Sequence, residues 1–583
     1  ADILPEKRHG DRKPADCGVR PPGIVSAGTQ SRSRAQNVLH NLMSSAVSKA
    51  LVLFLSFIAR SVFIRYLSEV YLGVNGLYSN VLNMLSLAEL GFGTAMVFSM
   101  YRPLAEHDDR KLAALLRVYR RAYTVIGCVV FAIGLSLLPV LHLLIKLPAD
   151  MQLGDLTLSL GGRQLTVSYV NFYYLLFLLN AAVSYWFWGY RRSVFVADQK
   201  EHICTNIRSI LSILRALLQI AALAVIGRRD PAAAFTAYLL LQLAATVAEN
   251  IWVALRARKY YPCLHEADVP PLEKAEVRRL ARDVGSTAVS RISHVALNST
   301  DNIIISTMLG TVCVGQLSNY TFIADSLTGI LCLITAALTP SLGNYFVEKS
   351  REESYSLFRS LTYANLWLYA LATAAMLTLF NPFVTVWLHN PDYLLSAACA
   401  VAISLNFFVA GYMTTLFTFR SSLGLFSQGW FRPIVVSVLN IGLSVLLAFL
   451  WRDATFLGTG DWGLFGVLIA TTLSRLLVNV WYDPIIIHRY GFGVSARPFF
   501  LRLLRMVGEV AVLCGLLACV KLLLPVTLAL PRWEACLRLV ALFLITAAVL
   551  LAGFWLFNRR TPEFRQLVAA VKSRRSRMRR SGN

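Results

Sequence analysis

Two groups of charged and polar residues lie inside long apolar runs, at spacings that place each group on one side of a helix. The first group, at i, i+7 and i+11, is Lys49, Ser56 and Arg60. The second group, at i, i+3, i+7, i+10 and i+11, is Arg291, His294, Asn298, Asp301 and Asn302. A cation at the centre of a bilayer costs roughly 3 kcal/mol, so these faces should avoid lipid. We predict that they line a substrate-binding cavity.

Two structural interpretations stay open for these residues. Lys49 and Arg60 lie near the ends of their apolar run and could extend to opposite membrane surfaces. Arg291 and Asp301 could form a structural ion pair. The repetition of a polar face on both helices favours the cavity more than any single residue does.

Other polar residues inside apolar runs carry weaker signals. Four ionisable residues have no partner that the sequence identifies: Glu89, Arg215, Glu249 and Arg475. Three amides are more typical of hydrogen bonds between helices: Asn302, Asn319 and Asn365.

The elements that must position these residues are membrane-spanning helices. Of the 583 residues, 56% are hydrophobic and only 15% are charged, against about a quarter charged in a soluble domain. The formal net charge of +24 falls between the apolar runs, as a topology signal does, and indicates no nucleic-acid partner. The ten cysteines form no CxxC pair, so we predict no disulfide framework, metal site or cofactor.

Runs of roughly 20 apolar residues predict fourteen spans. Their approximate limits are 42–64, 73–100, 119–145, 168–190, 206–227, 232–255, 286–308, 313–342, 361–388, 393–418, 432–450, 462–487, 503–524 and 535–557. Most of the 56 Lys and Arg residues then fall in the two tails and in every second loop. The positive-inside rule therefore predicts that both termini are cytoplasmic.

The chain contains an internal repeat with an offset of 242 residues. SSAVSK at 44–49 aligns with STAVSR at 286–291, and the alignment continues without a gap through the second and eighth spans. Lys49 aligns with Arg291, so these two cations should lie across a pseudo-two-fold axis. Parallel repeats of this kind are a transporter architecture with the site between the halves.

Three segments of the sequence resemble those of a known family. The segment FIRYLSEVYLGVNGLYSNVLNMLSLAELGFGTAMVFSMYRPLAEHD (63–108), NSTDNIIIS from Asn298 and GLFSQGWFRPIVVSVLNIGLSV from Gly424 are similar to bacterial polysaccharide flippases. These belong to the multidrug/oligosaccharidyl-lipid/polysaccharide exporter superfamily. The resemblance implies two six-helix lobes around a central cavity lined by the first and seventh spans. It also implies a substrate, undecaprenyl-pyrophosphate-linked oligosaccharide, that moves from the inner to the outer leaflet of the bacterial cytoplasmic membrane.

We therefore predict an all-α polytopic membrane protein of about fourteen transmembrane helices, with two pseudo-symmetric lobes and two extra C-terminal helices. The predicted parts are a disordered basic tail (1–36), a first half (37–256), a cytoplasmic linker (257–285), a second half (286–500), two additional helices (501–557) and a basic cytoplasmic tail (558–583). Many members of the family have twelve spans, and the extra pair resembles lipid II flippases in number only.

The expected mechanism is alternating access, in which cavity cations offset desolvation of the pyrophosphate. Coupling to Na⁺ or H⁺ through Asp301 or Glu89 stays open, and a polysaccharide polymerase is a further expected partner. The alternatives are a lipid II flippase and a cation-coupled drug antiporter, although an antiporter would favour acidic cavity residues. A glycan polymerase or ligase, which is an enzyme, is disfavoured. The longest outer loop, 146–167, offers Asp150, Asp155 and Arg163 but no acid–base pair.

Overall fold

The structure is a computed structural model of the chain. It describes residues 51–85, 92–106, 108–147, 153–160, 163–198, 200–261, 299–348, 350–423, 431–452 and 461–566, together with the single residues 272, 278 and 425.

Helices make up almost all of the described chain. They are α1 (51–66), α2 (Glu69–Leu85), α3 (Phe92–Ala105), α4 (Asp109–Ser136), α5 (Leu141–Leu144), α6 (Tyr169–Trp186), α7 (Arg192–Ala197), α8 (Glu201–Ile226), α9 (Pro231–Tyr260), α10 (299–308), α11 (Thr311–Glu348), α12 (Arg351–Leu388), α13 (Ala397–Ser422), α14 (Arg432–Trp451), α15 (Trp462–Ile486), α16 (Arg497–Leu523) and α17 (Arg532–Asn558). Each of the fourteen predicted spans falls at least partly on one of these helices.

Nine helices among the described residues are long and apolar enough to cross a bilayer. A further candidate is the pair α6 and α7, which is bent by 50°. Large apolar side chains point away from the protein interior; Leu522 is 81% exposed and Phe449 is 72% exposed. In water such surfaces would promote aggregation, whereas lipid solvates them. The prediction of an all-α polytopic membrane protein is confirmed.

One departure from a purely helical chain lies in the predicted outer loop 146–167. Strands β1 (Asp155–Leu160) and β2 (Arg163–Ser168) form an antiparallel hairpin in which Asp155 is opposite Ser168 and Leu160 is opposite Arg163. The segments DLTLSL and RQLTVS alternate apolar and polar residues with period two, which is typical of strands. The sequence predicted only a loop here.

The internal repeat appears in the starting residues of corresponding helices. Helix α2 begins at Glu69 and α11 at Thr311, while α4 begins at Asp109 and α12 at Arg351. Both pairs of helices therefore begin 242 residues apart. The offset that aligned the sequence thus also aligns the breaks between helices, which supports a duplicated fold.

Helices α2 and α11 cross at two glycines that the repeat makes equivalent. A Cβ atom on Gly73 would lie 2.2 Å from the carbonyl oxygen of Thr311, and one on Gly315 would lie 2.6 Å from the carbonyl oxygen of Glu69. Thr311 and Glu69 are themselves equivalent in the repeat. The contact is therefore reciprocal, and each helix presents a glycine to the backbone of the other, as close helix crossings require.

Backbone hydrogen bonds also join the two halves beside this crossing. The Thr311 amide donates to the Lys146 carbonyl over 3.0 Å, and the Lys146 amide donates to Thr311 Oγ1 over 3.1 Å. The Ser306 hydroxyl donates to the Leu144 carbonyl over 2.6 Å. The chain that follows α5 in the first half is therefore bound to the turn between α10 and α11 in the second half.

Candidate functional site

The structure describes three of the predicted site residues, which are Arg60, Asp301 and Asn302. The other predicted site residues lie outside the described residues: Lys49, Glu89, Arg291, His294 and Asn298.

Arg60 on α1 crosses from the first half to the second. Its Nε donates a 3.0 Å hydrogen bond to Asn319 Oδ1, and its Nη2 donates to Ser318 Oγ. Its guanidinium also lies 5.9 Å from the ring centroid of Phe322. All three partners belong to α11. Arg60 therefore binds between the halves instead of extending to the membrane surface, and Asn319 takes part in an interhelical hydrogen bond as predicted.

A cavity of about 190 Å³ opens beside Arg60 and is also lined by Arg215 of α8. We call it the arginine cavity. Helix α1 contributes Ser56 as well, while Gln219 and Tyr238 come from α8 and α9. Two arginines that line one cavity favour an anionic occupant, because an anion can accept charge-assisted hydrogen bonds from both. Arg215 carried only a weak signal as a candidate site residue in the sequence, because periodicity does not identify which helices face each other.

Asp301 on α10 faces a different set of helices, inside the second half. Thr471 Oγ1 of α15 donates a 2.7 Å hydrogen bond to Asp301 Oδ2 and accepts one of 2.9 Å from Asn440 Nδ2 of α14. Asp301 Oδ1 and Asn440 Oδ1 are both buried, and no donor among the described residues reaches either of them. One carboxylate oxygen and one amide oxygen are therefore left as unsatisfied acceptors within the described structure.

Arg475 supplies the positive charge near Asp301. The two groups interact electrostatically, and Arg475 Nη1 donates a 2.6 Å hydrogen bond to Asn406 Oδ1. From the sequence alone, Arg475 had no identifiable partner. Asn302, which follows Asp301 and is the repeat equivalent of Arg60, lies half-buried on α10.

Other buried polar groups tie helices together. Asn365 Nδ2 donates to Thr415 Oγ1, as an interhelical amide was predicted to do. Glu249, for which the sequence identified no partner, forms a 2.9 Å ion pair with Arg208.

A second ionic cluster joins α13, α14 and α15. Asp483 bridges two arginines, Arg420 at 3.2 Å and Arg432, and all three side chains are buried. The sequence did not single out this cluster, because its members lie in three different helices without a shared periodicity.

Comparison of the sequence with known proteins identifies its family. The family model described as "Polysaccharide biosynthesis protein" matches residues 38–346, more than half of the chain. The chain belongs to the polysaccharide biosynthesis protein family. The matched range contains the α2–α11 crossing, Arg60 and Arg215, and the predicted family resemblance is confirmed. No curated protein matches the sequence.

Solved transporters share the fold. The lipid II flippase MurJ in an inward closed conformation aligns with a TM-score of 0.60 and 12% identity, over 89% of this chain and 99% of its own. A multidrug resistance MATE family transporter of the MOP superfamily aligns with a TM-score of 0.52 and 15% identity, over 75% and 97%. The MATE transporter VcmN of Vibrio cholerae aligns at 0.50 and 14%, over 77% and 97%. At these identities the likeness shows the fold alone.

Proposed function

We propose that this protein is a flippase that moves polyprenyl-pyrophosphate-linked oligosaccharide from the inner to the outer leaflet of the bacterial cytoplasmic membrane. The observation that carries the proposal is the cavity that Arg60 and Arg215 share, in a chain of the polysaccharide biosynthesis family. Both termini are cytoplasmic in this proposal, and the product is passed to a polysaccharide polymerase.

The two arginines lower the main energetic barrier to transport, which is the desolvation of the pyrophosphate. A pyrophosphate cannot enter hydrocarbon unpaired, because desolvating a charge costs far more than desolvating a neutral polar group. Arg60 and Arg215 replace lost water contacts with charge-assisted hydrogen bonds. The inside-negative potential then favours outward movement by about 2.3 kcal/mol per charge per 100 mV. In this proposal Lys49 and Arg291 provide further cations from positions that the repeat relates.

The close contacts between the halves support alternating access. Arg60, the α2–α11 crossing and the Lys146–Thr311 hydrogen bonds lie at helix ends that the charge distribution assigns to the outer side. We infer that the halves are closed together at the outer side here and separate there to release the glycan. The halves proposed to move are residues 37–256 and 286–500.

A coupling-ion site is proposed at Asp301 in the second half. Asp301 Oδ1 and Asn440 Oδ1, which have no donor among the described residues, lie beside Thr471, and oxygens of this kind suit a Na⁺ ion or a proton on the carboxylate. Export that loses its dependence on Na⁺ or on pH in Asp301→Asn would support the site. Unchanged ion dependence in that variant would exclude it.

A lipid II flippase is the second candidate, favoured by the alignment with MurJ over 99% of that chain. Its substrate also carries a polyprenyl pyrophosphate, so the arginine cavity suits both. A cationic-drug antiporter is less compatible, because the described cavity presents two cations. Glycan polymerisation has no support among the described residues, which bring no acid–base pair to this cavity.

The deciding experiment is deletion of the gene followed by complementation. We expect deletion to abolish a surface polysaccharide and to trap lipid-linked oligosaccharide on the inner leaflet. Arg60→Gln and Arg215→Gln should each reduce export about tenfold, the effect of losing one charge-assisted hydrogen bond, at equal amounts of membrane protein. Arg102→Gln is the matched control, since that side chain is 84% exposed and pairs with the nearby Glu106.

Two outcomes of the deletion would contradict the proposal. A normal surface glycan with normal lipid-linked pools would remove the flippase function. Accumulation of lipid II in place of an oligosaccharide precursor would assign the second candidate function.

A further inference from the structure

The two additional helices enclose a pocket with the second half, apart from the arginine cavity. Helices α12, α16 and α17 meet there, and the space between them has a volume of about 200 Å³. The lining residues lie near the start of α12, the start of α16 and the end of α17. By the predicted topology all three positions are at the cytoplasmic surface. This junction pocket therefore lies at the depth of the inner-leaflet headgroups.

Three arginines give the junction pocket an excess of positive charge. Arg359 and Arg502 both pair with the carboxylate of Glu563, at 2.5 Å and 2.8 Å, and Arg505 pairs with Glu509 at 2.7 Å. Each guanidinium has five donors, so a single carboxylate leaves most of them available. Arg502 and Arg505 are partly exposed and can turn toward an incoming anion.

Three residues that line the junction pocket carry a buried polar atom without a partner among the described residues. Thr362 is 2% exposed and His488 is 1% exposed, yet Thr362 Oγ1 and His488 Nε2 have no hydrogen-bond partner in the described part of the chain. The same holds for Nε of Arg359. Because an unpaired buried polar group is unfavourable, these three side chains are the candidates to contact a ligand in the pocket.

The orientation of the histidine narrows the chemistry of that ligand. His488 Nδ1 lies 2.7 Å from the Pro484 carbonyl, which can only accept, so Nδ1 carries the hydrogen. Neutral His488 then offers Nε2 as an acceptor, which suits a hydroxyl group. The Thr362 hydroxyl and the arginines suit a phosphate. Leu366, Trp367 and Met506 complete the wall with apolar surface.

We propose that the junction pocket binds the headgroup of an anionic phospholipid of the inner leaflet, with the phosphodiester on the Thr362 hydroxyl, Arg502 and Arg505 and a headgroup hydroxyl on His488 Nε2. Phosphatidylglycerol has this chemistry, one negative phosphodiester and a hydroxylated headgroup. Basic pockets between helix ends on the cytoplasmic side commonly recognise anionic lipids. The bound lipid fastens α16 and α17 to α12, and it is not the transported substrate.

The test measures lipid binding to the purified full-length protein in a neutral detergent. Dioctanoyl phosphatidylglycerol should raise the melting temperature and be retained in native mass spectra, whereas dioctanoyl phosphatidylcholine should do neither. Thr362→Val and Arg505→Gln should each weaken phosphatidylglycerol binding about tenfold. Thr362→Val keeps the side-chain volume and removes an unpaired hydroxyl, so the fold is preserved.

Arg497→Gln is the matched control for general attraction to an anionic leaflet. Arg497 is exposed on the same helix, near the same predicted surface, but it lines a different groove with Trp481 and Phe500. We expect this variant to bind phosphatidylglycerol like the wild type.

Four results would overturn the proposal. The first is that phosphatidylglycerol does not bind. The second is that Arg497→Gln weakens phosphatidylglycerol binding as much as Arg505→Gln does. The third is that inorganic phosphate raises the melting temperature as much as phosphatidylglycerol does, and the fourth is that polyprenyl phosphate binds the pocket whereas phosphatidylglycerol does not. The last two would assign the pocket to a free anion or to the transport path. None of these results bears on the export assay of Arg60 and Arg215, so the two proposals fail separately.

Discussion

Substituting the glycines where α2 crosses α11 should open the outer end of the protein. In Gly73→Ala the new Cβ would lie 2.2 Å from the Thr311 carbonyl oxygen. Because ordinary carbon–oxygen contacts are about 3.3 Å, the helices must separate by roughly 1 Å. In Gly315→Ala the starting distance is 2.6 Å, so the required separation is roughly 0.7 Å.

The energetic effect follows from this overlap. Overpacking of this kind costs the closed state about 1–3 kcal/mol, whereas the helix propensity gained when Gly becomes Ala is the same in the open and closed states and cancels. The closed outer end should therefore lose population roughly fivefold to a hundredfold. Gly73→Ala should have the larger effect because its overlap is larger. Because the same separation of α2 from α11 removes both overlaps, the loss of the closed state in the double variant should be smaller than the sum of the two single losses.

The assay is labelling of a cysteine in the arginine cavity from outside intact cells. Ser56→Cys, in a background without the ten native cysteines, should react faster with an impermeant maleimide once Gly73→Ala is added. Gly329→Ala is the control, since it lies in α11 with no atom within 4 Å of the new Cβ. If Gly73→Ala and Gly329→Ala label at the same rate, the crossing does not hold the outer end closed.

Three further predictions concern charged groups. Burial, and then the charge of Asp392, raises the pKa of Glu69 above its ordinary 4.5. Ionised Glu69 therefore opposes closure, so acidification should slow outside labelling, and Glu69→Gln should remove this pH dependence. Burial alone would raise the pKa of Glu563, but the hydrogen bond from Arg359 and the nearby arginine charges lower it. Its stabilisation should hold above the ordinary pKa and disappear on acidification, so Glu563→Gln should lower the melting temperature at pH 7 but not in acid. Asp483→Asn should destabilise the protein by about 3–5 kcal/mol in thermal unfolding, because two buried arginines lose their carboxylate.

The sequence predicted helices and their duplication well, because both depend on local patterns. Each of the fourteen spans predicted from apolar runs falls at least partly on a helix, and the 242-residue offset that aligned the sequence also relates the starts of α11 and α12 to those of α2 and α4. The hairpin β1–β2 also left a local signal, in the alternation of DLTLSL. That signal is short and lay in a segment assigned as a loop.

The site was only partly accessible to the same reasoning. Periodicity placed Arg60 and Asp301 on polar helix faces, yet Arg60 binds α11 and Asp301 binds α15. Arg475 lies 174 residues beyond Asp301, and nothing in a single-sequence pattern pairs them. The partners of a buried charge depend on helix packing, which is a property of the folded chain.

The hydrogen bonds between Lys146 and Thr311 have a mechanical consequence for the hairpin. Lys146 is held by the second half, whereas Tyr169 starts α6 in the first half. When the outer ends separate as proposed, these bonds must break, because α5 belongs to the first half and ends at Leu144, two residues before Lys146. The segment that contains β1 and β2 then has both of its ends on the first half. The hairpin should therefore move with that half and return Lys146 to Thr311 when the outer side closes again.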